Sequence, residues 1–190
     1  EMHPPRGTHD ILPGAQGGEP SSEGWQRAEG IFRATALSFG YGEIRTPTFE
    51  AVDLYRRAIG EVTDIVKKEM YVFQDRKGRD LSLRPEGTPG VVRAALSAGL
   101  FGQNRPMRFY YIGPMFRYER PQAGRYRQHH QVGVEFFGSA GPAADAEVIS
   151  LGFSYIAAAG LSGLSVSINS IGCRSCRPAY LTLLKSYLAS

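Results

Sequence analysis

Cysteine is nearly absent from this 190-residue chain: there are two, Cys173 and Cys176, three positions apart. That excludes a disulfide framework and points to a reducing, cytoplasmic setting. Long apolar runs are absent too, with nothing near the roughly 20 residues needed to cross a bilayer, so no membrane role is expected. The first residues, EMHPPRGTHDILPG, lack the basic region and apolar stretch of a secretory signal. No GxxxxGK[ST] loop occurs, and the alternating strand–helix order and glycine fingerprint of a doubly wound nucleotide domain are missing. There is no repeat, heptad pattern or low-complexity tract. What remains is an ordinary globular composition with 42% hydrophobic residues, enough for a core.

Charge is present, and it is uneven. The chain carries a net +4, yet the stretch between Arg105 and His130 holds six arginines (Arg105, Arg108, Arg117, Arg120, Arg125, Arg127) against one acid, Glu119. A basic focus of this kind predicts a localised polyanion, and arginine over lysine favours forked recognition of phosphate. A solvated turn with scattered charges is the plain alternative.

All of that focus but Arg105 lies within RFYYIGPMFRYERPQAGRYRQHHQVGVEFFG (108–138), two runs of strand character joined by a loop. Side chains alternate along a strand, so Gln131, Gly133, Glu135 and Phe137 share one face, with Val132, Val134 and Phe136 on a core face behind. An amide and a carboxylate with only a hydrogen between them make a concavity with polar ends, about 13 Å apart at the ~3.4 Å strand rise. Tyr111, Gly113, Met115 and Arg117 share a parity in the first run, which puts a cation where that strand leaves its sheet. A hairpin carrying a small anionic ligand is one reading, an edge hairpin with a solvated face the other.

Around this hairpin the chain alternates helices and hairpins. RGTHDILPG (6–14) is an irregular lead-in, and residues 15–24 form a glycine- and serine-rich surface loop. A helix capped by Ser21 or Ser22 buries Trp25, Ala28, Phe32, Ala36 and Phe39 and stops at Gly40. GEIRTP (42–47) is a short strand, and a brief helix covers 50–59. MYVFQD and LSLRP form a hairpin about Lys77-Gly78. Thr88 is the expected N-cap of a helix with Pro89 as its first residue and Gly99 as terminator. Glu86 then sits between strand and helix, either answering the helix dipole or meeting a ligand's ammonium group. A helix runs to about residue 159, a strand is expected over 164–170, and an amphipathic helix bears Tyr180, Leu183, Leu184 and Tyr187. The expected fold class is α+β, an antiparallel sheet flanked by helices in one domain.

RGTHDILPG (6–14), LRPEGT (83–88) and GPMFRYERPQAGRYRQHHQVGVE (113–135) resemble class II aminoacyl-tRNA synthetases, and specifically the histidyl-tRNA synthetases. IGEVTDIVKKEMYVF (59–73) and INSIGC (168–173) agree. The resemblance implies a class II catalytic domain that joins L-histidine to ATP, with Mg²⁺ bridging phosphates, and passes the histidyl group to tRNA(His). It implies a homodimer with Pro47, from the first motif, at the interface. It assigns the α-phosphate to Arg117, the catalytic residue, and ATP to Glu119, Arg125, Tyr126 and His129 with it. Histidine falls to Glu86, Gly87, Thr88, Gln131 and Glu135. No metal site in the protein is implied: Cys173 and Cys176 are at most half of a four-thiolate zinc site and are read as buried or idle. His129 departs from the family, which usually has a phenylalanine stacking on adenine in RQFHQ. The third motif, the RGLDYY-like segment and the anticodon-binding domain have no counterpart in residues 1–190, so an incomplete core, poorly active or inactive alone, is expected. Two rivals remain: a non-catalytic paralogue serving as regulatory subunit of ATP phosphoribosyltransferase, and a generic basic nucleic-acid module.

Overall fold

The structure, a computed structural model, describes all residues except 1, 15–20, 61, 62, 64, 104, 170, 171, 174 and 190. Most of the loop expected over 15–24 therefore lies outside the described residues. Two units divide the chain, Glu1–Gly160 and Leu161–Ser190.

The first unit is built on a long hairpin. Strands β5 (Met107–Phe116) and β6 (Gln128–Phe137) are ten residues each and pair antiparallel along their whole length. Before them come β1 (Gly42–Glu43), β2 (Phe49–Ala51), β3 (Val72–Gln74) and β4 (Asp80–Leu83). One sheet has the order β1-β5-β6, the other β2-β4-β3. They are stitched where Phe116 N donates to Arg84 O at 2.9 Å and Arg84 N donates to Thr48 O at 2.9 Å. The pairing is antiparallel throughout except for β1, which lies parallel to β5 with Gly42 opposite Phe109. The GEIRTP strand is thus shorter than expected, because Thr46–Thr48 turns away to meet Arg84.

Helices cover one face of the hairpin. Helix α1 (Ser22–Ser38) is capped by Ser21, whose hydroxyl accepts from Gly24 N at 3.1 Å, a contact worth about 1 kcal/mol. Its Phe32 and Ala36 enter a core with Tyr41, Tyr110 and Leu151; Ile112, Val134 and Phe136 pack against it. Leu151 belongs to α4 (Pro142–Ala158). Val132, expected to share this face, is exposed. Helix α2 (Val52–Ile59) packs against β2 and β4, and α3 (Thr88–Ser97) packs against α2. A π-helical turn spans Ile65–Glu69.

Leu161–Ser190 is described separately. Its regular element is α5 (Cys176–Leu188). The strand expected over 164–170 is not formed among the described residues: Val166 and Ile168 are exposed, and a strand without a neighbour leaves its backbone donors and acceptors to water. The two cysteines are exposed, not buried.

Candidate active site

The register of β5 and β6 decides what the predicted concavity contains. Tyr111 lies opposite Gly133, Gly113 opposite Gln131, Phe109 opposite Glu135 and Met115 opposite His129. Directly opposed residues share a face, so the site face carries Gln131, Gly133 and Glu135 as expected. A Cβ at Gly133 would overlap the ring of Tyr111, and so would one at Gly87. The ring therefore lies between the two glycines and fills the space expected to be empty. Parity placed Tyr111 on the right side; only the register shows that it faces Gly133.

Glu86, Gly87 and Thr88 arrive at this face from the start of α3. The N-cap is Gly87, and Thr88 is the first helical residue, which corrects the expectation that the Thr88 side chain caps the helix. Its hydroxyl is engaged elsewhere, donating to Glu135 Oε1 at 2.6 Å across 47 positions of sequence. Burial pushes the Glu135 carboxyl above the usual carboxylate range and Glu86 adds to the rise, while the Thr88 hydrogen bond opposes them. The Tyr111 phenol is likewise raised, by burial first and then by Glu135. A cationic group entering here would meet two carboxylates, one of them short of solvent.

Arg117 ends the other side of this site. Its Nε donates to Pro85 O at 3.0 Å, and its forked end lies 3.9 Å from Glu119. The guanidinium is thereby held beside the residue that precedes Glu86. Glu119 is shared with Arg125, whose Nη1 lies at 3.5 Å. The loop between the strands closes in a tight turn in which Gln122 and Arg125 bridge. Its base rests on the lead-in, where Arg127 N donates to Gly7 O at 2.7 Å. Nothing in the residue pattern forecasts that docking.

The six arginines do not form one surface. Arg108 makes a two-pronged pair with Glu147 at 2.6 and 3.0 Å and lies 4.5 Å over the Phe136 ring. Arg127 stacks 4.0 Å over Tyr118 and donates to Glu119 O. Arg105 donates to Gln103. Arg117, Arg120 and Arg125 are left for a polyanion, half the number expected, because Arg108 finds a partner in α4 while Arg105 and Arg127 are taken up by near neighbours.

His129 and Tyr126 line a cavity of about 200 Å³ with His9, Ile11, Trp25, Gln128 and His130. Tyr126 lies 4.8 Å from His9, and Trp25 meets His130 edge-on at 4.5 Å. Burial lowers the His129 pKa below the usual imidazole value, and the Arg117 charge adds to the effect. The ring is neutral at neutral pH, so a flat apolar ligand can stack on it. A larger cavity of about 370 Å³ lies at the edge of β5 around Arg84, Thr46 and Gly113. Arg84, which sequence patterning did not single out, bridges Pro114 O at 2.8 Å and Thr46 O at 3.1 Å; burial lowers its pKa.

The structure thus gathers Glu86, Gly87, Thr88 and Glu135 at one place, sets Arg117 beside them through Pro85, and puts Tyr126 and His129 on a neighbouring cavity. Gln131 stands one step along the same face from Gly133, and Arg125 reaches the site only through Glu119. Among the described residues no group of three or more histidine, cysteine or acidic side chains is gathered as a metal cage.

The family model for histidyl-tRNA synthetase matches residues 17–174. The histidine–tRNA ligase of Halothermothrix orenii is 55% identical over 190 residues, covering all of this chain and 44% of that protein. The crystal structure of apo S. aureus histidyl-tRNA synthetase superposes with a TM-score of 0.77 at 38% identity, over 97% of this chain and 41% of that one. An ATP phosphoribosyltransferase regulatory subunit/histidyl-tRNA synthetase from Bacillus halodurans matches with a TM-score of 0.67 at 29% identity, over 85% and 39% respectively. The chain spans less than half the length of the curated relatives it matches. With a family model over most of its residues and the same α+β architecture in a solved synthetase, this chain belongs to the histidyl-tRNA synthetase family.

Proposed function

We propose that residues 1–190 are the N-terminal portion of the class II catalytic domain of a histidine–tRNA ligase, carrying its first and second motifs. The third motif and the anticodon-binding domain would come from other sequence. The activity is ATP-dependent: the carboxylate of L-histidine attacks the α-phosphorus, pyrophosphate leaves, and the histidyl group of the adenylate passes to tRNA(His). No protein nucleophile takes part, so these residues act by placement and charge. Glu86 and Thr88 take the substrate's α-ammonium, with Gly87 keeping the backbone close. Gln131 and Glu135 take the imidazole. Arg117 holds the α-phosphate and offsets the charge that grows on it in the transition state. Glu119, Arg125, Tyr126 and His129 hold the rest of ATP, His129 by stacking.

The observation that carries this is the 2.6 Å bond from Thr88 to Glu135, which brings the Glu86–Thr88 turn onto the polar face of β6. Mg²⁺ fits as a phosphate-borne ion, since Glu119 is the carboxylate nearest Arg117 and Mg²⁺ commonly takes one carboxylate plus substrate phosphates. Bound there, it would neutralise phosphate charge. The likeness to a regulatory-subunit structure supports a second reading, a non-catalytic paralogue. A homodimer meeting around Pro47 and a cytoplasmic setting complete the proposal.

Histidine-dependent ATP–pyrophosphate exchange tests it in a full-length synthetase containing this segment. Exchange that needs L-histidine is expected, and the isolated 190 residues are expected to exchange poorly or not at all. A full-length protein that binds histidine but forms no adenylate would favour the regulatory paralogue.

A further inference from the structure

Cys173 and Cys176 are not used by any step above, and the structure gives them a definite arrangement. The two sulfurs are 3.5 Å apart, against about 2.04 Å in a disulfide, so a small rotation of two exposed side chains closes the gap. The Cys176 thiol is also held by the backbone of Cys173. Cys173 N donates to Cys176 Sγ at 3.1 Å, and Cys176 Sγ approaches Cys173 O at 3.8 Å. The turn is already fixed by Arg177 N donating to Cys173 O at 3.0 Å, so closing the pair does not require the helix to unwind. Gly172 makes the approach possible. Its φ is +77°, a region that side-chain-bearing residues rarely adopt, and a Cβ there would sit 2.9 Å from Cys176 Sγ.

We propose that Cys173 and Cys176 are a reversible dithiol–disulfide site at the start of α5, oxidised by small disulfides of the glutathione type. The first step falls to Cys173. Its thiol is lowered below the usual range, chiefly by the backbone N–H groups of Cys176 and Ser175, and a thiolate is the attacking species. That thiolate attacks one sulfur of oxidised glutathione, forms a mixed disulfide and expels one glutathione thiolate. Cys176 then loses its proton to solvent and attacks the Cys173 sulfur. The Cys173–Cys176 bond forms and the second glutathione thiolate leaves. Two electrons pass from the cysteine pair to the glutathione disulfide, and excess reduced glutathione reverses both steps. The site stands independently of the ATP and histidine assignments.

The test is equilibration of the 190-residue chain in glutathione redox buffers, followed by maleimide trapping and intact mass. The native chain should lose both maleimide adducts together, with no retained glutathione. Its dithiol–disulfide equilibrium should favour the disulfide at least about tenfold over that of the guanidinium-unfolded chain. Cys176→Ser should instead accumulate glutathione on Cys173, because the second thiol is gone. Gly172→Ala should move the equilibrium back toward the dithiol. Four results would overturn the proposal: a mixed disulfide that persists in the native chain, covalent dimers on a non-reducing gel, no preference over the unfolded chain, or zinc retained through dialysis with both thiols protected.

Discussion

The two ends of the β5–β6 hairpin each present an arginine, and they differ in what surrounds it. At the end where β5 begins, Arg108 has both prongs on Glu147 and a ring beneath it. At the loop end, Arg117 has a backbone carbonyl on Nε and a single carboxylate 3.9 Å from its fork, and that carboxylate is shared with Arg125. Counting arginines along the chain cannot separate the two cases. How fully a carboxylate engages each one does, with two short contacts at Arg108 and one long, shared contact at Arg117, and an arginine left short of partners is the one able to meet a phosphate.

That contrast is sharpest at Arg117. In a full-length synthetase, Arg117→Ala is expected to slow histidine-dependent pyrophosphate exchange by about 10²–10³-fold while leaving the melting temperature little changed. A loss of stability with unchanged exchange would reverse the assignment of the two ends. Midway between them, Gly133→Ala should destabilise the chain by about 1–3 kcal/mol by driving a Cβ into the Tyr111 ring. Tyr111→Ser in the same chain should recover part of that, and chemical denaturation of the four proteins of the cycle gives the coupling.

At the closed end, Arg108→Ala should cost about 1 kcal/mol, since the pair with Glu147 is partly solvated, and ATP affinity should not move. The Arg108 contact holds the Glu147 carboxyl below its usual range. The stability from this pair is therefore present above the ordinary carboxylate pKa and lost as pH falls through the depressed one. Thermal melts of both proteins should converge in acid.

The smallest expected effect has the opposite sign. Glu135 is raised by burial, so its charged form is disfavoured in the folded chain. It favours the fold in acid, and that contribution is lost as pH rises from the ordinary carboxylate range through the raised pKa. Glu135→Gln, which keeps an acceptor for Thr88, should raise the melting temperature slightly at neutral pH and not in acid, while weakening histidine binding measured by calorimetry. No gain at neutral pH would show that the carboxylate is better solvated than its surroundings suggest.

Local features were legible wherever a residue acts on its near neighbours. Ser21 caps α1 as its position before the apolar stripe requires, Gly40 follows the helix, and the two hairpins form where strand runs flank turn residues. The strand expected over 164–170 failed for the complementary reason: alternation describes a strand that has a partner, and no partner is present among the described residues. Thr88 shows the same limit in one side chain. Its position before Pro89 suits a cap, but a carboxylate 47 residues away took the hydroxyl.

The sequence by itself determined the main helices and the two hairpins, the polar face of β6 and, through its motifs, the family. Those follow from periodicity and from residues acting over a few positions. Tertiary structure alone decided that Tyr111 lies against Gly133, that Arg108 belongs to Glu147 and not to a ligand, and that Arg127 rests on the lead-in at Gly7. Each of those joins residues far apart in the chain. Strand register and helix placement choose such pairs, and neither is carried by the identity of a single residue.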